Sequence, residues 1–497
     1  MTSRYQRPQP GERPGNPNEG FEDPVVIRDL PPMLPSPFVT PPPNQALPSY
    51  GPSSGGPGLP PLAALLPEPK TLQATGLSSS LILDLVLKTL YYTSNLTGHD
   101  IAAVLRLPFY GVLDQILVVL KKEELCEVSG ASGIGEAAYR YVITHKGMDR
   151  AVAVLRRSSY VGPAPVPLAR YIELVMQQAG RKARVDRQAV TNALQGMILS
   201  QDLLDRVGAA VNAGRSLFLF GAPGNGKTML AERIARMMGG NIAVPYAIET
   251  DGQVIQLFDM LVHRPVPQTG NLAYETAMNG GLPDPRSAEY PDRRWVQIQR
   301  PVVMVGGELT MDSLDLRYSE MNGFYEAPFQ LKANNGVFLI DDFGRQVMPP
   351  PTLLNRWIVP LEKNSDFLTL HTGKKLQVPF ELFLVMSTNL NPTDLIDEAF
   401  LRRIQNKLHM PSPTRDQFRV IFIDQCRQMG VPFDEQGFNY LLTEHYLRPQ
   451  RPVRGCHPRD LLRQLTGLAR YMSVAPQLTP QLIDAACLTY FVPLKEL

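Results

Sequence analysis

A glycine-rich loop that ends in lysine and threonine is the strongest chemical signal in the sequence. The segment from Gly221 to Thr228 reads GAPGNGKT and fits the pattern GxxxxGK[ST]. It follows an apolar run, Ser216 to Phe220, that predicts a buried strand, and it leads into Met229 to Met238, which predicts a helix. Glycines let successive backbone N–H groups turn toward phosphate oxygens, and a helix N-terminus adds a favourable dipole. The segment therefore predicts a phosphate-binding site.

The end of this loop carries the residues with specific tasks. Lys227 is expected to reach the β- and γ-phosphates of a nucleotide, and the Thr228 hydroxyl is expected to hold Mg²⁺. The residues predicted to contact the nucleotide are Gly221, Ala222, Pro223, Gly224, Asn225, Gly226, Lys227, Thr228 and Met229.

A second apolar run ends in two aspartates. Val337 to Asp342 reads VFLIDD and predicts a buried strand parallel and adjacent to the first. Asp341 is the expected magnesium partner of Thr228, and Asp342 falls where a general base would polarise the attacking water. Aspartate is one methylene shorter than glutamate, which puts the positioning of that water in question. The alternative is that Asp342 only caps the next turn and that hydrolysis is slow.

Further polar residues follow at places where strands end or helices begin. Asn389 ends a third apolar run, Phe383 to Thr388, and could orient the water against the γ-phosphate. Arg402 and Arg403 form a pair, and Arg459 lies in the first turn of a predicted helix. Arginine suits such places because its planar fork binds phosphate oxygens in bidentate fashion and stays charged.

This ordered set resembles the AAA+ ATPase family over about residues 166 to 492. The resemblance implies an α/β fold: a three-layer P-loop NTPase core with a parallel sheet, followed by a small helical lid. By resemblance, the Walker A motif is Gly221 to Thr228, Walker B is Val337 to Asp342, sensor 1 is Asn389, the arginine finger is Arg402 or Arg403, and sensor 2 is Arg459. Family members usually form ring hexamers in which one subunit's finger completes its neighbour's site, so hydrolysis is expected to require assembly.

One segment narrows the resemblance to a branch. Asp366 to Phe380 predicts a strand, a turn and a strand, and it is similar to the pre-sensor-1 hairpin of the MoxR, magnesium-chelatase and sigma-54-activator branches. Most relatives carry glutamate where this chain has Asp342. The chain has no GAFTGA-type loop, which disfavours sigma-54 activation.

An insert is expected over about residues 264–330, with a strand-like pair from Arg294 to Val305. In those branches such an insert touches the substrate. The predicted contact residues are Gly306, Gly307, Glu308, Phe324 and Tyr325. The alternative is that they cover the core or contact a neighbouring subunit.

The chain has 497 residues, and its composition indicates where the other domains begin and end. Of its 47 prolines, 19 fall between Pro8 and Pro69, which predicts a disordered arm over 1–76. Three helices and a β-hairpin (124–144) over 77–160 resemble a winged-helix domain. The nucleotide-binding domain is expected over 161–410 and the helical lid over 411–497. Short apolar islands in the arm could be docking motifs, with a plain solvated tail as the alternative.

Charge and cysteine content limit the partners and the location. Lys and Arg number 49 against 47 Asp and Glu, and the balance from Leu77 to Tyr160 is nine against eight, which disfavours phosphate-backbone contact. No run approaches the roughly 18 apolar residues of a membrane span, so membrane insertion is not expected. The four cysteines form no CxxC pair, which fits a reducing cytoplasm.

Together these features predict a cytoplasmic AAA+ ATPase that uses ATP and Mg²⁺ to remodel a macromolecular partner. The expected assembly is a homo-oligomer, a hexameric ring, and a protein client is favoured over DNA. The alternative is a DNA-binding, ATP-dependent regulator or motor that uses the winged-helix-like domain. A third class, an interaction scaffold that binds ATP but barely turns it over, follows if Asp342 cannot act as a base.

Overall fold

The computed structural model describes most of the chain. The described ranges are 65–180, 184–214, 216–266, 291–395 and 402–491. The predicted arm lies outside them up to residue 64. Residues 65–76, which the sequence assigns to the arm, are packed: Leu66 is buried, and its carbonyl accepts a hydrogen bond from the Asp292 N–H at 2.8 Å. Packed residues therefore occur earlier in the chain than predicted, because Leu66 joins an apolar cluster of the central domain despite its proline-rich surroundings.

Residues 79–155 form a domain of helices and an antiparallel sheet. Its helices are α1 (Ser79–Tyr92), α2 (Gly98–Leu105), α3 (Asp114–Lys122) and α4 (His145–Leu155), and its strands are β1 (Leu96–Thr97), β2 (Cys126–Ala131) and β3 (Tyr139–Ile143). The sheet order is β1-β3-β2. The Thr97 side chain caps α2 and forms a capping box with Asp100, which fixes where the helix begins. The predicted β-hairpin is confirmed as β2 and β3.

The remaining elements build a central α/β domain and the C-terminal helices predicted as the lid. The strands are β4 (Val166–Pro167), β5 (Ser216–Phe220), β6 (Asn241–Pro245), β7 (Ala247–Thr250), β8 (Gln253–Gln256), β9 (Trp295–Gln299), β10 (Val302–Val305), β11 (Arg317–Ser319), β12 (Phe324–Glu326), β13 (Val337–Ile340), β14 (Ser365–Thr369), β15 (Lys375–Pro379), β16 (Phe383–Thr388) and β17 (Asn406–His409). The helices are α5 (Leu168–Ala179), α6 (Arg187–Ala193), α7 (Gln201–Ala213), α8 (Lys227–Met237), α9 (Phe329–Lys332), α10 (Pro350–Lys363), α11 (Pro392–Leu395), α12 (Arg415–Met429), α13 (Glu435–Leu442), α14 (His457–Tyr471) and α15 (Pro480–Tyr490).

A parallel sheet lies at the centre of the central α/β domain. Its strand order is β10-β13-β16-β5-β17, and every neighbouring pair is parallel. One face packs against α8 through residues such as Leu230 and Ile234, and the other packs against α10 through Trp357. The three inner strands, β13, β16 and β5, are buried along almost their whole length because both faces are covered. The predicted fold class, α/β with a parallel sheet and helices, is confirmed.

Two strands predicted as a pair belong to different sheets. Within the predicted insert, residues 267–290 lie outside the described ranges. β9 pairs with β6 in antiparallel fashion, whereas β10 is an edge strand of the central parallel sheet. The strand locations were predictable from local patterns, but the pairing depends on residues far away in sequence.

A mixed sheet connects the N-terminal domain to the central one. Its order is β11-β12-β8-β7-β4. The edge strand β4, Val166 and Pro167, therefore lies beside β7. The predicted hairpin before β16 is confirmed as β14 and β15. Arg356 from α10 makes a bidentate contact with the buried Asp366 carboxylate of β14 and fixes this hairpin to the helix.

The N-terminal domain is packed against the mixed sheet. Its core cluster continues into Ala247 and Val254 of β7 and β8. The buried Arg294 guanidinium pairs with Asp292 at 2.8 Å and donates to the Thr75 carbonyl at 2.9 Å. The core of the N-terminal domain therefore extends into the mixed sheet, and the Arg294–Asp292 ion pair of the central domain is hydrogen-bonded to the backbone of Thr75.

The lid consists of α12 to α15. These helices enclose a separate apolar cluster that includes Phe418, Phe422, Phe438 and Leu465.

No single helix in the described ranges is long and apolar enough to cross a membrane. One bent pair of helices, Gly98–Leu105 with Phe109–Lys122, has the length and composition for a span, by those two criteria alone.

Candidate functional site

The glycine-rich loop, residues 221–226, connects the central strand β5 to α8. Its glycines at 221, 224 and 226 all have positive φ, of 144°, 78° and 85°. A Cβ on Gly221 would lie 2.3 Å from the Met410 carbonyl oxygen, and one on Gly224 would lie 2.3 Å from Cys456 Sγ. Both backbone conformation and space thus require glycine here. The N-terminus of α8 follows directly, which gives the loop the positive end of a helix dipole.

Lys227 occupies the interior of this loop. Its side-chain amine is buried and donates to the carbonyl oxygens of Gly221 at 2.9 Å and Ala222 at 3.0 Å, and to Asn389 Oδ1 at 2.6 Å. Burial lowers the pKa of Lys227, although the nearby aspartates raise it in part. All three acceptors are neutral, so a phosphate oxygen would be a stronger partner for this ammonium group.

Thr228 and Asp341 meet across the end of the parallel sheet. The Thr228 hydroxyl donates to Asp341 Oδ2 at 2.7 Å. Asp341 follows β13 directly, and its N–H donates to the Val305 carbonyl at the end of β10 at 2.8 Å. A hydroxyl and a carboxylate side by side are hard oxygen donors of the kind that Mg²⁺ binds together with phosphate and water. The residues predicted to hold the metal therefore fit it.

Asp342 lies next to Asn389, on the solvent side of the same edge. Asn389 Nδ2 donates to Asp342 Oδ1 at 2.9 Å, while Asn389 Oδ1 accepts from Lys227. Asp342 is exposed and has a positive φ of 49°, which turns the chain sharply away from β13. Asn389 thus connects the buried cation to the exposed carboxylate, and the structure brings together the predicted residues of three strands.

The lid touches the loop just before α14. The Gly455 N–H donates to Asn225 Oδ1 at 3.3 Å. Arg459, predicted to contact the nucleotide from the lid, instead pairs with its neighbour: its Nε donates to Asp460 Oδ1 at 2.9 Å. This hydrogen bond raises the pKa of Arg459.

Arg454 is a residue that the sequence analysis missed. Its Cβ lies 3.9 Å from the position that a Cβ on Gly224 would take. The available signal was its place directly before Gly455, within the segment that was singled out for Arg459.

The paired arginines lie at the other side of the domain core. Arg403 Nε donates to Glu362 Oε1 of α10 at 2.8 Å. Arg402 is exposed. Residues 396–401, which precede them, lie outside the described ranges. The structure therefore ties Arg403 to α10 of its own chain.

Other predicted contacts have mixed outcomes. Met229 lies in the first turn of α8 and is partly exposed. Tyr325 is buried, its hydroxyl bonded to the His371 ring, and Phe324 packs edge-on against Tyr160 with ring centroids 5.7 Å apart. These two aromatic residues therefore belong to the core and the domain junction, which was the alternative to substrate contact.

The exposed part of the predicted substrate contact lies beside β10. Gly306, Gly307 and Glu308 follow this strand, and the Gly306 N–H donates to Glu308 Oε1 at 3.0 Å. Across the described ranges there is no group of three or more His, Cys, Asp or Glu side chains placed to hold a metal ion. His457 is buried, and its Nδ1 lies 3.0 Å from the Tyr446 hydroxyl.

Comparison with known proteins gives matches of limited extent. Residues 414–489, within the lid, match a family described as a domain of unknown function, DUF8689. None of the curated proteins matches the chain. Among solved structures, NtrX from Brucella abortus in complex with ATP is similar at 14% identity and a TM-score of 0.35, covering 77% of this chain and 66% of that one. A RuvB mutant from Thermotoga maritima is similar at 12% identity and a TM-score of 0.32, covering 61% of this chain and 72% of that one.

The chain thus spans about two thirds of the length of the NtrX chain. These TM-scores are low, so the similar structures support no conclusion about the function of this chain.

Proposed function

We propose that this chain is an AAA+ ATPase, which binds ATP with Mg²⁺, hydrolyses it, and uses the cycle to remodel a macromolecular partner. The observation that carries the proposal is the continuous set of contacts at one edge of the parallel sheet. Thr228 bonds to Asp341, Lys227 bonds to Asn389, and Asn389 bonds to Asp342.

The sheet order supports the proposal. Parallel strands present their carboxyl ends at one edge, and ligands of open α/β sheets bind there. The strands β13, β16 and β5 are neighbours in the sheet, and they end beside Asp341, Asn389 and the glycine-rich loop respectively. The three sequence motifs are therefore adjacent in space because of strand pairing.

Each residue at this edge has a defined task in ATP hydrolysis. The loop N–H groups and Lys227 would bind the phosphates, and Lys227 would offset negative charge that develops on the terminal phosphate. Asn389 would orient a water in line with that phosphate, and the Asp342 carboxylate would accept its proton. Mg²⁺, held by Thr228 and Asp341, would supply charge neutralisation at the phosphate oxygens. Asp342 is already hydrogen-bonded by Asn389, which compensates in part for its short side chain.

The proposal includes assembly into a homo-oligomer, a hexameric ring. Arg402 or Arg403 would reach the nucleotide of the neighbouring subunit and complete its site. Arg402 is exposed, and Arg403 lies on the Glu362 carboxylate of its own chain. Arg402→Ala subunits mixed with Lys227→Ala subunits would recover activity at one class of interface if the finger acts between subunits.

We also propose that residues 77–160 are a winged-helix domain with a protein partner. The three-stranded sheet order β1-β3-β2 and the helices α1 to α3 support the assignment. On α3, Val118 and Val119 are exposed, and the tip of the hairpin exposes Ile134. Exposed apolar side chains at the helix and hairpin favour a protein over a phosphate backbone. A cytoplasmic location is proposed from the four free cysteines, three of which are buried.

The test is steady-state phosphate release from ATP with Mg²⁺ over a range of protein concentrations, with and without duplex DNA. We expect turnover per subunit to rise with concentration and to ignore DNA. Lys227→Ala should abolish turnover, whereas Lys146→Ala, at an exposed lysine of α4, should not change it. Absence of turnover in the unmodified protein at every concentration would refute hydrolysis, and strong stimulation by DNA would favour the DNA-dependent regulator or motor.

A further inference from the structure

The hairpin of the N-terminal domain presents an isoleucine to solvent at its tip. Ile134 lies in the turn between β2 and β3 and is fully exposed. Two backbone hydrogen bonds order this turn: the Ser132 N–H donates to the Ala138 carbonyl at 2.9 Å, and the Ala138 N–H donates to the Gly135 carbonyl at 3.0 Å. The backbone thus holds a large apolar side chain in water.

Tyr110 lies beside the same turn. Its hydroxyl is 3.5 Å from the position that a Cβ on Gly135 would take, and its ring packs edge-on against the buried Phe109 with centroids 5.1 Å apart. Tyr110 is nevertheless 64% exposed. We call Tyr110 and Ile134 the hairpin patch. Local contacts fix both side chains at one turn, which favours a docking surface over apolar residues scattered singly.

The chain passes this patch on its way from the N-terminal arm. The Lys70 carbonyl oxygen would lie 2.3 Å from a Cβ on Gly111, the residue after Tyr110, so the two backbones are in contact. The five residues from Lys70 back to Leu65 span at most about 18 Å. The part of the arm before Leu65 therefore starts close to the hairpin patch.

That part of the arm contains a segment of matching chemistry. Six of the ten residues from Val25 to Leu34 are apolar: Val25, Val26, Ile27, Leu30, Met33 and Leu34. About 30 residues separate Leu34 from Leu65, and a linker of that length reaches about 100 Å when extended. Such a tether gives the segment an effective concentration on the order of 1 mM, above that of a partner in dilute solution.

We propose that the segment Val25 to Leu34 docks on the hairpin patch of its own chain. The contact would remove apolar surface of the segment, of Tyr110 and of Ile134 from water, which is favourable. This inference goes beyond the proposed ATPase function and does not depend on it. Because Ile134 also belongs to the surface proposed for a protein partner, the arm and that partner would compete for it.

The experiment is limited trypsin digestion of the full chain, with the rate at each site followed by mass spectrometry. Trypsin cuts after lysine and arginine except where proline follows. Before Lys70 the chain has four arginines, and Arg7 and Arg13 precede prolines. The two remaining sites are Arg28, inside the proposed docking segment, and Arg4, outside it. The ratio of the two rates therefore reports docking within one molecule.

We expect cleavage after Arg28 to be about tenfold or more faster in Ile134→Asp and in Tyr110→Ala than in the unmodified chain, because cleavage follows the undocked population. Cleavage after Arg4 should not change. The matched controls are Leu488→Asp and Tyr471→Ala, at lid residues that are 77% and 88% exposed, and they should leave Arg28 protected. Melting temperatures identify any variant that is partly unfolded.

Equal cleavage after Arg28 in the unmodified chain and in both hairpin-patch variants would overturn the inference, since the arm would then be a plain tail or dock elsewhere. Docking on a second copy is tested by mixing ¹⁵N-labelled Ile134→Asp chains with unlabelled, unmodified chains. Docking within one chain leaves the labelled Arg28 rapidly cleaved. Protection of the labelled Arg28 by the unmodified chains would mean that a second copy is the acceptor, and the assignment to the same chain would be wrong.

Discussion

Replacing Asn389 with alanine removes the side chain that connects Lys227 to Asp342. In the structure it accepts from the Lys227 amine at 2.6 Å and donates to the Asp342 carboxylate at 2.9 Å. The first contact competes with phosphate for the ammonium group, and the second fixes the carboxylate that would accept a proton from water. We therefore expect Asn389→Ala to lower kcat while leaving ATP affinity unchanged or slightly higher.

The size of the effect follows from the lost contact to Asp342. A hydrogen bond to a charged group contributes about 1.5–3 kcal/mol. Each 1.4 kcal/mol of barrier changes a rate about tenfold, so kcat should fall by roughly 10- to 150-fold. The assay is ATP titration by direct binding together with steady-state phosphate release, both on the full chain.

The matched control is Asn192→Ala, at an exposed asparagine of α6, which should change neither quantity. A variant that binds ATP at least tenfold more weakly but keeps its kcat would refute the reasoning. That result would mean that Asn389 holds the ground-state nucleotide and does not orient the water or the Asp342 carboxylate.

Three further predictions concern stability. A methyl group on Gly221 would lie 2.3 Å from the Met410 carbonyl oxygen, so Gly221→Ala should lower the free energy of unfolding in urea by about 1–3 kcal/mol and abolish ATP binding. Burial lowers the pKa of His457 to about 4, below its unfolded value, so the stability that neutral His457 contributes is present above about pH 6.5 and is lost as pH falls toward 4. By pH 5 this loss is at most about 2 kcal/mol, reduced by solvent screening, and it should disappear in His457→Gln. Arg356→Ala leaves the buried Asp366 carboxylate without its bidentate partner, and we expect a loss of about 3–5 kcal/mol in the same titrations, as for other broken buried pairs.

Matched substitutions provide the controls for these three predictions. Gly467→Ala, in α14, places a methyl group in open space and should not destabilise the protein. His99→Gln, at an exposed histidine, should keep the pH dependence of the unmodified chain. Arg427→Ala removes an exposed arginine. We expect it to lower the free energy of unfolding by about 0–1 kcal/mol, as is typical of surface ion pairs. Equal effects in a variant and its control would contradict the corresponding argument.

The glycine-rich loop and the aspartate pair were predictable because their chemistry is local. The strand, loop and helix over 216–238 follow one another directly in the sequence. Asp341 likewise directly follows the apolar run that predicts a buried strand. The strand order was not predictable in this way: β13 was expected beside β5, but β16 lies between them. What the local pattern did not contain is the two hydrogen bonds of Asn389, which accepts from Lys227 and donates to Asp342, residues more than 40 positions away.

Non-local pairing explains the predictions that differed from the structure. β9 and β10 are separated by only two residues, yet β9 pairs with β6 and β10 with β13. Alternating polarity identifies a strand but not its neighbour. The ion pair of Arg459 with the adjacent Asp460 is, by contrast, a local contact that the motif spacing does not show.

The shared core of the N-terminal and central domains has a consequence for cooperativity. Ala247 and Val254 lie in one apolar cluster with α1 to α3, and Arg294 is buried across the boundary beside Thr75. A chain cut at residue 161 would expose that surface and remove the Thr75 acceptor of that guanidinium group, so we expect the N-terminal domain and the central domain to depend on each other for stability. Calorimetry of the full chain should accordingly show these two domains melting in a single transition, with the independently packed lid as the part able to melt apart from them.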